Sequence, residues 1–277
     1  MQLVTYQGPD GPRVGRMAGG RVYDLGCADM VAFLSDAGWR QRAAAAVQGE
    51  GIALAETRLL APVRRPGKFI GIGLNYSDHA AESGLSVPKA PVLFGKFANS
   101  VIGPGDGIPH PGPALTTQLD WEVELGVVIG RPCRRVSEAE AMACVAGYTI
   151  VNDISARDLQ MADGQWMKGK ALDGFAPMGP AIVTTEAIPD PQDLRLSMYV
   201  NGRRMQHGHT STMIFPVAYL VSYLSQLMTL EPGDVISTGT PPGVGLGMKP
   251  QVWLQVGDVC RAEIDAIGTL ENTVIAR

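Results

Sequence analysis

The chain has 277 residues, 45% of them hydrophobic, with 23 basic against 27 acidic side chains and a formal net charge of -4. That size supports one large core, alone or with a small appendage. The lack of any basic excess argues against nucleic acid or an anionic membrane as the primary partner and leaves small molecules and other copies of the chain. The opening MQLVTYQGPDGPRVGRM has no basic segment followed by an apolar run, and no stretch approaches a membrane span, so a cytoplasmic protein is expected. Cys27, Cys133, Cys144 and Cys260 form no Cys-x-x-Cys pair and are expected to be reduced core residues, with neither zinc nor disulfides.

Glycine and proline cluster in GPDGPRVGR, GPGDGIPHPGP, LDGFAPMGP and TGTPPGVGLG. Such turn punctuation between short β-branched runs predicts a β-rich fold. Residues 2–25 read as small hairpins. Residues 29–51 carry apolar side chains at helical spacing, then Ala43 to Ala46, with a stop at Gly49. Together they predict a small N-terminal domain over residues 1–60, followed by a larger one over 61–277. In the latter, FIGIGLN predicts a strand, YSDHAAESG a short helical segment, and APVLFGKF and LDWEVELGVV two further strands. SEAEAMACVAGYTIVND begins as a helix with Ser137 as N-cap and Glu140 three residues later, and ends as a strand at Asp153. The strand GPAIVTT, a hairpin over LRLSMYVNGRRM turning at Asn201-Gly202 and a helix over FPVAYLVSYLSQLM come next. Strands at DVISTG, VWLQV and VCRAEIDAIGTLENTVIA close the chain. No repeat or low-complexity tract interrupts it, and one α+β fold with a large mixed sheet is expected.

Strand alternation places Glu122 and Glu124 on one face and Trp121, Val123 and Leu125 on the other. An isolated Glu-x-Glu is ordinarily a half-buried strand with its carboxylates in water. Here the run continues into GVVIG, apolar on both faces, and a buried carboxylate must find a cation or a proton. Asp153, at the end of another strand, offers a third oxygen ligand. An all-carboxylate set suits Mg²⁺, Mn²⁺ or Ca²⁺ and lacks the His and Cys ligands that favour zinc. His79 and Glu82 in SDHAAE share a face if that segment is helical, and the carboxylate then strengthens the imidazole as a base. A surface ion pair is the plainer reading of the same two residues. His207 and His209 in QHGHT follow the hairpin and are expected to be exposed rather than metal-bound. GKALDG and GTPPGVGLG lack the spacing of a phosphate cradle, GIGLN is not a dinucleotide fingerprint, and no Gly-x-Ser-x-Gly elbow is present.

IGLNYSDHAAE, PVLFGKFANSVIGPGD, DWEVELGVVIG, VAGYTIVNDISARDLQ, WMKGKALDGFAPMGP, STMIFPVAYLVSYLSQLMTLEPGDVISTGTPPGVG and GDVCRAEIDAIGTLEN occur in that order. From about residue 61 to the C-terminus the chain thereby resembles the fumarylacetoacetate hydrolase family. The resemblance implies a mixed β-sandwich roll behind a small N-terminal domain, and a homodimer. It implies Glu122, Glu124 and Asp153 as divalent-metal ligands, with Mg²⁺ as the cofactor and Mn²⁺ or Ca²⁺ as substitutes. It also implies His79 and Glu82 as a catalytic pair on a lid that orders over the substrate, and Lys170 as the active-site lysine. Arg157 and Gln160 fall on polar residues beside the metal, and Thr240 on the loop that contacts a substrate carboxylate. The chain departs from the common pattern at Phe97, Gly174, His207 and His209, which bear on the pocket and leave the metal set intact. ADGQWMKGK and GTPPGVGLGMKP look most like the branch that includes sugar-acid diketone hydrolases.

The implied activity is hydrolysis of a carbon-carbon bond in a β-diketone such as an acylpyruvate or 2,4-diketo acid, releasing pyruvate or a related 2-keto acid. Oxaloacetate decarboxylation, keto-enol tautomerisation and hydroxymuconate-type isomerisation use the same kind of site and stay open. A non-catalytic scaffold is disfavoured, because it has no need of like charges gathered at one point.

Overall fold

A computed structural model describes residues 1–77 and 87–277. The expected helix and lid around His79 and Glu82 lie outside these residues. A large mixed sheet runs, in spatial order, through Ile52–Ala53, Arg21–Asp24, Gly11–Ala18, Gln2–Gly8, Ala176–Thr184, Val145–Asn152, Val123–Ile129, Val235–Ser237, Phe69–Gly73 and Val92–Lys96. Neighbours are antiparallel except where Val235–Ser237 runs parallel to Phe69–Gly73. A five-stranded sheet orders Arg203–His209, Arg195–Val200, Val259–Ile264, Gly268–Ala276 and Ile108–His110. The N-terminal hairpins join the large sheet directly: Gln2 and Leu3 pair with Val183 and Ile182, so hydrogen bonding is continuous across the expected boundary at residue 60.

The strand Val123–Ile129 shows why the core lies where it does. Val123, Leu125, Val127 and Ile129 share one face and pack with Leu196, Met198 and Ala262 of the five-stranded sheet. On the other face, Val128 packs with Phe33, Leu34 and Trp39 of the N-terminal segment. Both faces are therefore covered, and every side chain of this strand is buried. Glu124 is left almost fully buried.

Most expected elements are present. Glu140 accepts a hydrogen bond from Ser137 N at 2.9 Å, completing the capping box of the short helix Glu138–Ala141. Asn201 and Gly202 adopt φ of 51° and 78°, as the two-residue hairpin turn requires. The helix over the FPVAYLVSYLSQLM stretch spans Val217–Leu227. Two expectations need correction. The helix expected after residue 29 divides into Met30–Ser35 and Trp39–Ala45, because the Asp36 carboxylate captures Gly38 N at 2.9 Å and turns the chain between them. VWLQV is not a strand: Val252 N donates to Gly245 O and Leu254 N to Leu119 O, so no single neighbour offers it a ladder.

The four cysteines are free; Cys133, Cys144 and Cys260 are buried, and Cys27 is only partly so. No helix among the described residues is long and apolar enough to cross a membrane. Leu125→Ala deletes a fully buried side chain between the two sheets. It should lower stability by about 2–5 kcal/mol in denaturant unfolding, and a loss under about 1 kcal/mol would show that this packing is not limiting.

Candidate active site and metal centre

Glu122, Glu124 and Asp153 converge, each offering an oxygen within 4.8 Å of the others, and all three are buried. Glu122 sits in the break just before the strand Val123–Ile129, and Glu124 is its second residue. Asp153 directly follows the antiparallel neighbour Val145–Asn152, whose Asn152 pairs with Val123. Asp153 N donates to Glu122 O at 2.9 Å, and Glu122 N donates to Asn152 Oδ1 at 3.0 Å. The sheet register thus brings together side chains about 30 residues apart in sequence.

Cations meet these carboxylates from two sides. Lys170 Nζ bridges Glu122 Oε2 at 2.7 Å and Asp153 Oδ2 at 2.8 Å. Arg157 places Nη1 2.7 Å from Glu122 Oε1 and Nε 2.8 Å from Asp120 Oδ2. Lys96 Nζ lies 2.5 Å from Asp153 Oδ1, and it donates to Phe175 O at 2.8 Å and to Lys170 O. Glu124 leans on uncharged donors, the Ser237 hydroxyl at 2.5 Å and Gly239 N at 2.9 Å.

Burial, followed by the charges of Asp153 and Glu122, holds the Glu124 carboxyl well above the usual carboxylate range. Burial works against the Lys170 charge, but Asp153 and Glu122 outweigh it and raise its pKa. Lys96 goes the other way: burial lowers its pKa and Asp153 restores only part of the loss.

These groups form the floor of a cleft of about 600 Å³. Ile72, Leu74, Phe94, Trp166, Leu246 and Met248 contribute apolar walls, and the exposed Lys249 and Gln251 stand at the rim. Leu74 adopts φ of 54°, uncommon for a non-glycine residue. The next residue fastens it: Asn75 donates to Phe215 O and Thr238 O and accepts from Phe215 N. The loop carrying Leu246 and Met248 is tied to Asp120, which accepts from Gly245 N at 2.7 Å and Leu246 N at 3.0 Å.

Of the nine residues singled out in the sequence, the structure brings Glu122, Glu124, Arg157, Gln160, Lys170 and Thr240 to the cleft lining, with Asp153 beneath them. His79 and Glu82 lie outside the described residues. Gln160 Oε1 accepts from Arg157 Nη1 at 3.0 Å. Thr240 Oγ1 donates to Val123 O at 2.9 Å and accepts from Gln206 Nε2 at 2.8 Å, so its proton is already committed. Asp120, Lys96 and Ser237 were not singled out. Asp120 continues the Glu122, Glu124 alternation by two residues, and Lys96 shares the buried face of its strand with Phe94; both are readable signals.

A family model for the C-terminal domain of fumarylacetoacetate hydrolase matches residues 68–275. The chain belongs to the fumarylacetoacetate hydrolase family. It is 39% identical to the fumarylacetoacetate hydrolase of Exiguobacterium antarcticum, with a TM-score of 0.86 and both chains fully covered. The maleylpyruvate hydrolase of Sphingobium sp. SYK-6, solved with manganese(II) and pyruvate, is 30% identical with a TM-score of 0.84 over 100% of this chain and 99% of that one. A 5-carboxymethyl-2-hydroxymuconate delta-isomerase from Mycobacterium smegmatis is 37% identical with a TM-score of 0.83, both chains fully covered. A curated protein of Burkholderia multivorans, 51% identical over the whole of both chains, is named in general terms as a hydrolase without a substrate.

The cluster in this member of the family fits a divalent cation. Four buried carboxyl groups, Asp120, Glu122, Glu124 and Asp153, face three buried cations, Lys96, Arg157 and Lys170, so Glu124 ionises at a cost that a divalent cation would offset. Asp153 Oδ1 is buried and receives no well-directed hydrogen bond despite its closeness to Lys96. All the available donors are hard oxygens, the set that Mg²⁺ and Mn²⁺ take.

Three predictions follow from this electrostatics. Without a cation, the folded chain retains a proton on Glu124 that the unfolded chain loses near the ordinary glutamate value of 4.5, so stability should fall as pH rises above that value toward the raised pKa. Mg²⁺ or Mn²⁺ should displace the proton and bind more weakly as pH is lowered. Calorimetric titrations in two buffers of different ionisation enthalpy check this, and equal heats would exclude proton-coupled binding. Asp120→Ala leaves Arg157 Nε buried without its carboxylate and frees the loop at Gly245, and should cost about 3–5 kcal/mol in urea unfolding.

Proposed function

We propose that the protein is a divalent-metal-dependent hydrolase that cleaves a carbon-carbon bond in a β-diketone, such as an acylpyruvate or other 2,4-diketo acid, releasing pyruvate or a related 2-keto acid. The observation that carries this reading is the convergence of Glu122, Glu124 and Asp153 with Lys170 at the floor of a cleft large enough for a small organic acid. The likeness to a maleylpyruvate hydrolase solved with manganese and pyruvate supports it.

Glu122, Glu124 and Asp153 would hold the metal, which when bound supplies Lewis-acid polarisation of the 2-keto acid end of the substrate. Lys170 Nζ, kept charged by Glu122 and Asp153, is placed to donate hydrogen bonds to oxygen that gains negative charge. Arg157 orients Glu122 and holds Gln160 toward the cleft. His79, which the family resemblance pairs with Glu82, is the proposed base: it takes a proton from water, and the water oxygen attacks the distal carbonyl carbon. The bond from that carbon to the central methylene breaks, and its electron pair passes to the 2-keto acid fragment as an enolate. That fragment gains a proton at carbon, so one diketo acid and one water give a carboxylic acid and a 2-keto acid. Thr240 bears on the substrate carboxylate through its loop, because its hydroxyl proton is held by Val123 O.

A second reading is isomerisation, favoured by the likeness to a hydroxymuconate delta-isomerase. It needs enolisation and proton transfer but no attacking water. Oxaloacetate decarboxylation and keto-enol tautomerisation fall with it.

With Mg²⁺ or Mn²⁺, acetylpyruvate should yield equimolar pyruvate and acetate, and chelator should stop the reaction. Enol-keto exchange or carbon dioxide from oxaloacetate, without acetate, would favour the second reading. Glu124→Ala should lose metal binding and turnover together. Lys170→Met should lower kcat by about 10²–10³ while metal still binds.

A further inference from the structure

The strand Phe69–Gly73, FIGIG, sets Gly71 and Gly73 two residues apart and therefore on one face. Neither position has room for a side chain. A Cβ on Gly71 would stand 2.2 Å from Phe94 Cζ, and one on Gly73 would stand 2.3 Å from Trp166 Cζ3. Phe94 is the cross-strand partner of Gly71 and lays its ring over that bare backbone, the arrangement by which an aromatic residue covers a strand glycine. Trp166 comes from a different part of the chain, immediately before the helix Met167–Lys170, and lies over Gly73. The two rings stand 6.1 Å apart, tilted by 51°. Phe94 also sits 5.1 Å from Lys170 Nζ. The glycine pair thus seats an aromatic wall that runs from the ionic floor along the cleft.

Among the described residues, the polar groups of the cleft lining lie at its floor and, as Lys249 and Gln251, at its rim, and the wall between them is apolar. Leu74, Met161, Leu246 and Met248 are among its other apolar lining groups. Thr240 has given its proton to a backbone carbonyl, and Arg157 commits Nε and Nη1 to Asp120, Glu122 and Gln160 at the floor, where its Nη2 stays unpaired. Against the Phe94 and Trp166 rings a hydroxylated arm would leave water without replacement hydrogen bonds, whereas a hydrocarbon arm would gain by burial.

We propose that the Phe94 and Trp166 wall, seated on Gly71 and Gly73, is the subsite for the part of the substrate beyond the reacting carbonyl, and that it selects an alkyl, alkenyl or aryl arm over a polyhydroxylated one. The proposal rests on the reading that the ionic floor takes the 2-keto acid end. Trp166 is the specificity-determining residue and Gly73 the positioning residue that keeps its ring against the sheet. This preference runs against the sugar-acid branch that ADGQWMKGK and GTPPGVGLGMKP resemble, although those segments themselves supply Trp166, Leu246 and Met248 to the cleft.

The test measures binding, which needs no turnover. With Mg²⁺ present, calorimetry would compare oxamate, N-butyloxamate and N-(2,3-dihydroxypropyl)oxamate, which share a head resembling a 2-keto acid. The wild type should bind the butyl compound at least tenfold more tightly than the dihydroxypropyl compound. Trp166→Ala should bring that ratio below threefold, and Trp166→Phe should keep most of it. Gly73→Ala drives the indole off the strand and should weaken the butyl compound at least tenfold, while oxamate, which reads only the floor, changes less than threefold. Equal affinities in the wild type, or an unchanged ratio in Trp166→Ala, would overturn the proposal. If the ratio behaves as expected but no acylpyruvate is cleaved, the hydrolase reading alone fails. If none of the three acids binds, both fall.

Discussion

The constraint on which the rest depends is the burial of four carboxylates against three cations. Asp120, Glu122, Glu124 and Asp153 lie almost without solvent, as do Lys96, Arg157 and Lys170. Gathering like charges in a poorly solvated place costs free energy unless every charge has a partner, and removing one partner exposes the full penalty on the other. Each contact in the cluster can be understood as part of that balance. Lys170 neutralises two carboxylates at once, Arg157 joins Asp120 to Glu122, and Lys96 approaches Asp153 from behind while holding the backbone of Lys170. Glu124, left with uncharged donors, carries the strain as a raised pKa. A divalent cation completes such a cluster because it supplies the charge that the chain does not.

The fold serves this cluster by making two central strands rigid. Val123–Ile129 is hydrogen-bonded on both edges and packed on both faces, so a side chain at its start cannot swing to water. Asp120 carries the same restraint outward: it holds Arg157 with one oxygen and the Gly245 and Leu246 amides with both. The mouth of the cleft is therefore mechanically joined to its floor. At the other wall, two glycines remove side chains so that two aromatic rings can come close to the sheet. Catalytic sites need their groups held against packed elements, and here the ionic floor and the apolar wall share one sheet.

The chain's place among fumarylacetoacetate hydrolases agrees with this arrangement. Its relatives include proteins named as hydrolases and as isomerases. Such a spread is what a site for stabilising enolate charge permits, since hydrolysis, decarboxylation and isomerisation diverge only in what attacks and what leaves.

Much of this was legible in the linear chain. Alternation in LDWEVELGVV placed Glu122 and Glu124 together, the Asn201-Gly202 pair marked its hairpin, and the Ser137 to Glu140 spacing marked its capping box, because these patterns depend on neighbours within a few residues. Local spacing could not divide the N-terminal helix at Asp36 or deny VWLQV a partner strand, since both outcomes depend on which backbone groups compete for a hydrogen bond in space. By itself, then, the sequence determined the strand-rich architecture, the family and the candidate metal ligands. Only the tertiary structure decided that Lys96 and Asp120 belong to the cluster, that the Thr240 proton is already spent on Val123, and that Gly71 and Gly73 exist to seat Phe94 and Trp166. Charge balance and close packing are properties of side chains far apart in sequence, and the register of the folded sheet is what brings them within a few ångströms.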